Sequence, residues 1–197
     1  PYSASKAAAE LVFAAYQDSF FDNSLNMGAA TTRAGNVIGG GDWASDRIVP
    51  DCIKALQEGK EIHIRSPYAT RPWQHVLEPL SGYLLLAAKL AIEPKRYSSS
   101  WNFGPKNNAI KTVEDVTNGI IKRWGSGQLL INKPDDRYEA NLLHLSIDKA
   151  VHNLGWSPRW NFEKTLDYTV NWYSSVLSGE SAYDVSRSQI KQYMKSN

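Results

Sequence analysis

The sequence predicts an α/β fold, and three observations point to it. Five long helix candidates alternate with short strand candidates rich in Val, Ile and aromatic residues. Several strand candidates run into turns built on glycine, and helix start and stop signals fall between the segments. The 197 residues suffice for one good core, or for one domain and part of another.

Residues 3–20 carry the strongest helical pattern, with Ser3 as the expected N-cap and Ala, Leu, Val, Phe and Tyr filling nearly every position from 7 to 16. A helix apolar almost all round is expected to be buried on more than one side, one facing a sheet and another a partner subunit. After a turn over 23–28, residues 29–38 predict one short buried strand, interrupted by Arg33 and Asn36 and closed by a turn at Gly39, Gly40 and Gly41. Burying an arginine and an asparagine at a strand's carboxyl end is costly unless they meet partners, and ligands of open α/β sheets gather at such ends. Arg33 therefore either ties down a neighbouring loop or serves a ligand, whereas Asn36 is the stronger ligand candidate.

A helix is expected over 48–58 with Gly59 as its stop, then a strand in which Ile62 and Ile64 point inward and His63 and Arg65 outward. Residues 66–76 predict a loop with two prolines that leads into another strand. Its interleaved arginines and aromatics can neutralise a phosphate and stack a base. A second apolar helix spans 77–92 and stops at Glu93-Pro94-Lys95. Trp101 to Gly104 predicts a strand, Thr112 caps a helix through Trp124, and residues 128–132 predict another strand. A polar loop over 133–139 contains Arg137; Ser146 is expected to cap a helix ending at Leu154-Gly155, and the last strong helix covers 162–177. The weakly amphipathic tail, 183–197, is expected to dock late or fray.

The composition narrows the function classes. A net charge of +2, with no basic run of five or more residues, is too small for a nucleic-acid or membrane-surface footprint. The longest apolar run, Leu84 to Ala88, is far too short to span a bilayer, and no signal-like segment opens the chain. Cys52 has no intramolecular partner, and the four histidines lack metal-ligand spacing, so a reducing cytoplasm and no metal are expected. Anionic small molecules remain as ligands. The chain starts without Met, inside a candidate motif, which predicts an upstream half. No G-x-G-x-x-G follows a strand, so a dinucleotide fingerprint is expected in that half, and the triple glycine lacks the Lys-Ser/Thr of a phosphate loop.

The first ten residues hold the chemistry. Tyr2 and Lys6 are four residues apart, so a helix stacks them one turn above each other. An ammonium beside a phenol favours the phenolate, which can then accept a proton. By itself this spacing is common.

Taken in order, however, the motifs resemble those of the nucleotide-sugar 4,6-dehydratases, a group within the extended short-chain dehydrogenase/reductase family. Tyr2-Ser3-Ala4-Ser5-Lys6 is similar to the family's Y-x-x-x-K, and Thr32 to Gly39 is similar to its R-x-x-N-x-x-G segment. Arg71-Pro72-Trp73-Gln74-His75-Val76 resembles its arginine-x-Trp segment, and Trp101-Asn102-Phe103-Gly104 its aromatic-Asn-apolar-Gly turn. Gly35 to Trp43, together with Pro72 where many relatives carry Asp, resembles the branch acting on CDP-glucose.

The resemblance implies the C-terminal part of a Rossmann-type doubly wound parallel sheet with a smaller α/β substrate-binding domain. Residues 1–45 and about 71–100 would finish the dinucleotide-binding domain; about 46–70 and 101–197 would form the substrate-binding domain. It implies a lyase with tightly held NAD, a nucleotide-sugar substrate, and a homodimer or higher homo-oligomer. Tyr2 would take the proton of the sugar 4-hydroxyl as the C4 hydride leaves, water would be lost across C5 and C6, and the hydride would return to C6. Lys6 would hold the nicotinamide ribose, and Val37 would abut the nicotinamide. Arg71 and Arg137 would meet phosphate, Asn36 and Asn102 phosphate or sugar, and Tyr68 the base. The acid and base for water loss are implied upstream of Tyr2. A nucleotide-sugar 4-epimerase, or a non-catalytic nucleotide-sugar-binding fragment, are the alternative readings.

Overall fold

The computed structural model describes residues 1–21, 27–106, 110–132 and 145–196. Arg137 and the 133–139 loop lie outside the described residues, as does most of the predicted turn over 23–28. The chain opens with α1 (Tyr2–Phe20), which begins one residue before the expected cap. Ser3 lies inside the helix, and no side chain caps it.

The single strand expected over 29–38 is two strands, β1 (Thr31–Ala34) and β2 (Val37–Ile38), separated by a bend at Gly35 and Asn36. Helix α2 (Ile48–Gln57) and strand β3 (Ile62–Ile64) follow as expected, with Ile62 and Ile64 buried and His63 exposed. The two-proline loop contains two short strands, β4 (Thr70–Pro72) and β5 (Gln74–His75), and leads into α3 (Leu77–Ile92). Pro94 starts the short α4 (Pro94–Tyr97) instead of merely ending its predecessor, because proline's missing N–H and fixed φ suit a first helical position.

Strand β6 (Ser100–Phe103) precedes β7 (Ile110–Thr112) and α5 (Val113–Trp124). Thr112 caps α5 through a reciprocal pair, its hydroxyl accepting from the Asp115 N–H and the Asp115 carboxylate accepting from the Thr112 N–H. Gly125, at φ +92°, ends the helix in the left-handed conformation. Strand β8 (Leu129–Ile131) is followed by a π-helical turn over Ala150–Leu154. Ser146 does not cap that turn; its hydroxyl donates to the Asp148 carboxylate. Helix α6 (Phe162–Leu177) is capped by Asn161, and α7 (Ala182–Lys195) by Ser181.

The strands pair across long stretches of sequence. β1 runs parallel to β6, β2 to β5 and β3 to β8, whereas β4 pairs antiparallel with β7. Two cores result. One joins α2, β3, α5 and α6 through Ile53, Ile62, Ile120, Leu166 and Tyr173; Cys52 lies in it, fully buried, its thiol pushed up to about 12 by burial. The other joins α3, β6 and the π turn through Leu86, Trp101, Phe103 and Trp156. In the first core, Gly40 approaches the Trp172 ring so closely that a Cβ there would lie 1.9 Å from it.

Of the two outcomes expected for the tail, docking is the one observed: α7 buries Val185, Gln189 and Tyr193. Glu78, which has no exposed surface, explains the docking. Its carboxylate accepts from the Arg159 and Trp160 N–H groups and from the Tyr193 hydroxyl, at 2.8 Å for the last. Burial pushes this carboxyl above its ordinary value despite those donors. Helix α1 meets β1 and β6 on one side. None of its residues is buried in this chain, and Leu11, Val12, Tyr16 and Phe20 are all exposed. On the side of β1 and β6, the Glu10 carboxylate accepts from the Thr31 and Ser100 hydroxyls, and the Gln17 amide donates to the Ser98 carbonyl.

Candidate functional site

The site grows from the bend between β1 and β2. Because the chain bends at Gly35 and Asn36, β2 leaves β6 for β5, and a groove opens beside the strand ends. The Asn36 carbonyl accepts from the Gln74 N–H at 2.9 Å, and the Gly35 N–H donates to the Phe103 carbonyl at 3.3 Å, so the bend is pinned from both sides. Gly35 has the room this demands, since a Cβ there would stand 2.8 Å from the Pro72 carbonyl oxygen.

The groove encloses about 1140 Å³. Tyr2, Asn36, Val37, Arg65 and Arg71 line it, together with Asp46, Arg47 and Asp51 around the start of α2. The Lys6 ammonium lies 5.7 Å from the centre of the Tyr2 ring, one turn along α1. Arg47 is held to the Asp42 carboxylate at 3.0 Å, which fixes the loop after the triple glycine as one wall. Tyr173 braces that wall by donating its hydroxyl to the Asp42 carbonyl at 2.6 Å, and burial pushes its phenol up to about 12. On α2, burial raises the Asp51 carboxyl, against the opposing pull of Lys54.

Of the residues singled out from sequence, Tyr2, Asn36, Val37 and Arg71 line this groove together, with Lys6 adjoining Tyr2. Asn102 lies on β6 directly opposite Arg33. Both ends of its amide are engaged within the chain, Oδ1 accepting from Arg33 Nε at 2.8 Å and Nδ2 donating to the Ser146 carbonyl at 3.1 Å. Tyr68 is 78% exposed in the turn before β4 and lies outside the groove lining. Arg137 lies outside the described residues.

Three residues of the region escaped the sequence reading. Glu10 bonds to both strands at the site's base, Arg47 holds the glycine turn, and His63 contacts Asn132 at 3.2 Å. Only Glu10 left a signal: it is a carboxylate inside an apolar helix, one turn beyond Lys6. No cluster of His, Cys, Asp or Glu suited to a metal occurs among the described residues, and no helix there is long and apolar enough to cross a membrane.

Comparison with known proteins agrees with this geometry. A family model described as the NAD dependent epimerase/dehydratase family matches residues 1–104. The chain is 43% identical over 199 residues to CDP-glucose 4,6-dehydratase of Salmonella typhimurium, which covers 98% of this chain and 55% of that protein. Among solved structures it is similar to dTDP-glucose 4,6-dehydratase of Bacillus anthracis in complex with NAD. That match has a TM-score of 0.69 and 25% identity, over 89% of this chain and 52% of the other. It also shares the fold of UDP-glucose 4-epimerase of Thermotoga maritima, with a TM-score of 0.74 and 20% identity over 90% and 54% of the two chains. The chain thus spans about half the length of these proteins. Its fold is the C-terminal portion of their Rossmann-type α/β architecture.

Proposed function

The chain belongs to the NAD dependent epimerase/dehydratase family, and from that premise we propose that the full-length protein is a nucleotide-sugar 4,6-dehydratase, a hydro-lyase acting on CDP-glucose. The observation that carries the proposal is the meeting of Tyr2, Asn36, Val37 and Arg71 in one groove, with Lys6 beside Tyr2. The 43% identity to a CDP-glucose 4,6-dehydratase supports the choice of sugar nucleotide.

These residues fit the nicotinamide end of NAD. Tyr2 and Lys6 present exposed polar groups from one face of α1, and Val37, 39% exposed at the strand end, offers an apolar contact in the same groove. Bound NAD supplies the hydride acceptor and later donor that C4 oxidation and C6 reduction require. Tyr2 accepts the proton of the sugar 4-hydroxyl, and the Lys6 ammonium bonds the ribose. Arg71 offers a planar guanidinium to the diphosphate, where two parallel bonds suit two phosphate oxygens. Asn36 bonds sugar or phosphate, and Arg137 is a second phosphate ligand. Tyr68 is assigned to the base and Asn102 to the sugar side. The acid and base for water loss come from outside residues 1–197.

We assign residues 1–45 and about 71–100 to the dinucleotide-binding domain, and about 46–70 and 101–197 to the substrate-binding domain. The pairing of β6 with β1, and its core with α3 and the π turn, favour extending the first of these to include 100–103 and 147–156. A homodimer that covers the exposed apolar residues of α1 completes the proposal.

The test is turnover by full-length protein of CDP-glucose beside dTDP-glucose and GDP-mannose, following the 4-keto product by its absorbance in alkali. Turnover confined to CDP-glucose is expected. Preference for another sugar nucleotide overturns the substrate, and formation of a C4 epimer without 4-keto sugar overturns the reaction.

A further inference from the structure

Glu10 bonds to both β1 and β6. Thr31 and Ser100 are register partners across the parallel β1–β6 ladder, and so are Arg33 and Asn102 two residues further on. Because side chains alternate between faces along a strand, these four polar side chains project from the same face. The alternate positions of β6, Trp101 and Phe103, are buried in the second core instead. Glu10 of α1 meets the polar face. Its Oε2 accepts from the Thr31 hydroxyl at 2.7 Å and the Ser100 hydroxyl at 3.1 Å, while Oε1 lies 3.6 Å from Arg33 Nη1. Arg33 in turn donates from Nε to Asn102 at 2.8 Å, and Asn102 holds the Ser146 carbonyl.

Tyr2, Lys6 and Glu10 succeed one another at intervals of four along one helix, so they share a face. At 1.5 Å per residue, about 12 Å separates Tyr2 from Glu10 along the axis. A rotation or slide of α1 about Glu10 therefore moves the Tyr2 hydroxyl across the groove edge by a comparable fraction of its reach. The Lys6 ammonium lies beside the Tyr2 ring.

We infer that Glu10 is a positioning residue: by clamping α1 to β1 and β6 through Thr31, Ser100 and Arg33, it sets the register of Tyr2 and Lys6 against the groove. The inference rests on the dehydratase reading above. It needs no contact between Glu10 and substrate.

The experiment compares full-length wild type, Glu10→Ala, Glu10→Gln and Glu10→Asp. It measures kcat and KM for CDP-glucose, the rate effect of deuterium at the sugar C4, and the thermal midpoint. Misplacing reacting groups by about 1 Å costs on the order of 10²-fold in rate. Glu10→Ala is thus expected to lose about that factor in kcat with KM changed less than about threefold, and to show a larger deuterium effect as hydride transfer becomes limiting. Glu10→Gln, which keeps an acceptor for Thr31 and Ser100 but not the charge for Arg33, is expected to fall between wild type and Glu10→Ala. A kcat of Glu10→Ala within threefold of wild type overturns the inference. So does a kcat loss with an unchanged deuterium effect, since reduced folding alone would give that. An inactive wild type instead overturns the dehydratase reading itself, and the inference with it.

Discussion

At the scale of single residues, the proposed chemistry concentrates on one hydroxyl. Tyr2→Phe removes the proton acceptor and keeps the ring that faces Lys6. Turnover of CDP-glucose by the full-length variant is expected to fall by about 10²- to 10⁴-fold, the range for a positioned acid or base. Calorimetric binding of the sugar nucleotide should remain close to wild type; undiminished turnover would remove Tyr2 from the mechanism. The meeting of Tyr2 and Lys6 on one helix face, and the place of Asn36 at a strand end, were legible because spacing on a helix and position along a strand are local properties. Glu10 was not, because its meaning depends on Thr31 and Ser100, whose side chains meet it only once β1 lies beside β6. The bonds of the Asn102 amide to Arg33 and Ser146 were likewise illegible, since they depend on β1 lying beside β6.

At the scale of elements, the helices were far more legible than the strands. α2, α3, α5 and α6 announce themselves through apolar periodicity, and Thr112 and Gly125 bracket α5 with their capping chemistry. Strands of two to four residues carry too few side chains to declare a period, and β1 was merged with β2 because the bend between them is enforced by distant Pro72 and Gln74. The docking of the tail was only half legible for a related reason. Its inward face consists of Val185, Gln189 and Tyr193, two of them polar, so it looks weakly amphipathic until Glu78 and the Tyr168 carbonyl take up their polar atoms. The glycine turn after β2 offers a test at this scale. Gly40→Ala drives a methyl into Trp172, whose indole is also anchored to Ser186. A loss of about 1–3 kcal/mol is expected, read as a lower urea midpoint with an unchanged slope. An unchanged midpoint would show that α6 yields freely at this contact.

At the scale of the whole molecule, acid is expected to open the structure through His75. This imidazole is 1% exposed, accepts the Leu77 N–H at 3.3 Å, and packs against Trp160 and Tyr168 between β5 and α6. Burial lowers its pKa from 6.5 to about 4. A depressed folded value means that the stabilisation is present above pH 6.5 and is lost as the unfolded chain takes up a proton that the folded chain refuses, down to about pH 4. The loss amounts to at most ~3 kcal/mol. Glu78, raised by burial, acts in the opposite sense, its stabilisation fading as pH rises, so the informative quantity is a difference. Subtracting the stability profile of His75→Gln from that of wild type, by urea unfolding between pH 7 and 4, should isolate the His75 slope; parallel profiles would rule it out. The first core also contains a reporter of such opening. Cys52 is the only thiol of these 197 residues, has no exposed surface, and keeps its proton at neutral pH. A disulfide-exchange reagent therefore reacts with it only when α2 lifts from α5, so its labelling rate counts the excursions in which the wall of the groove comes apart.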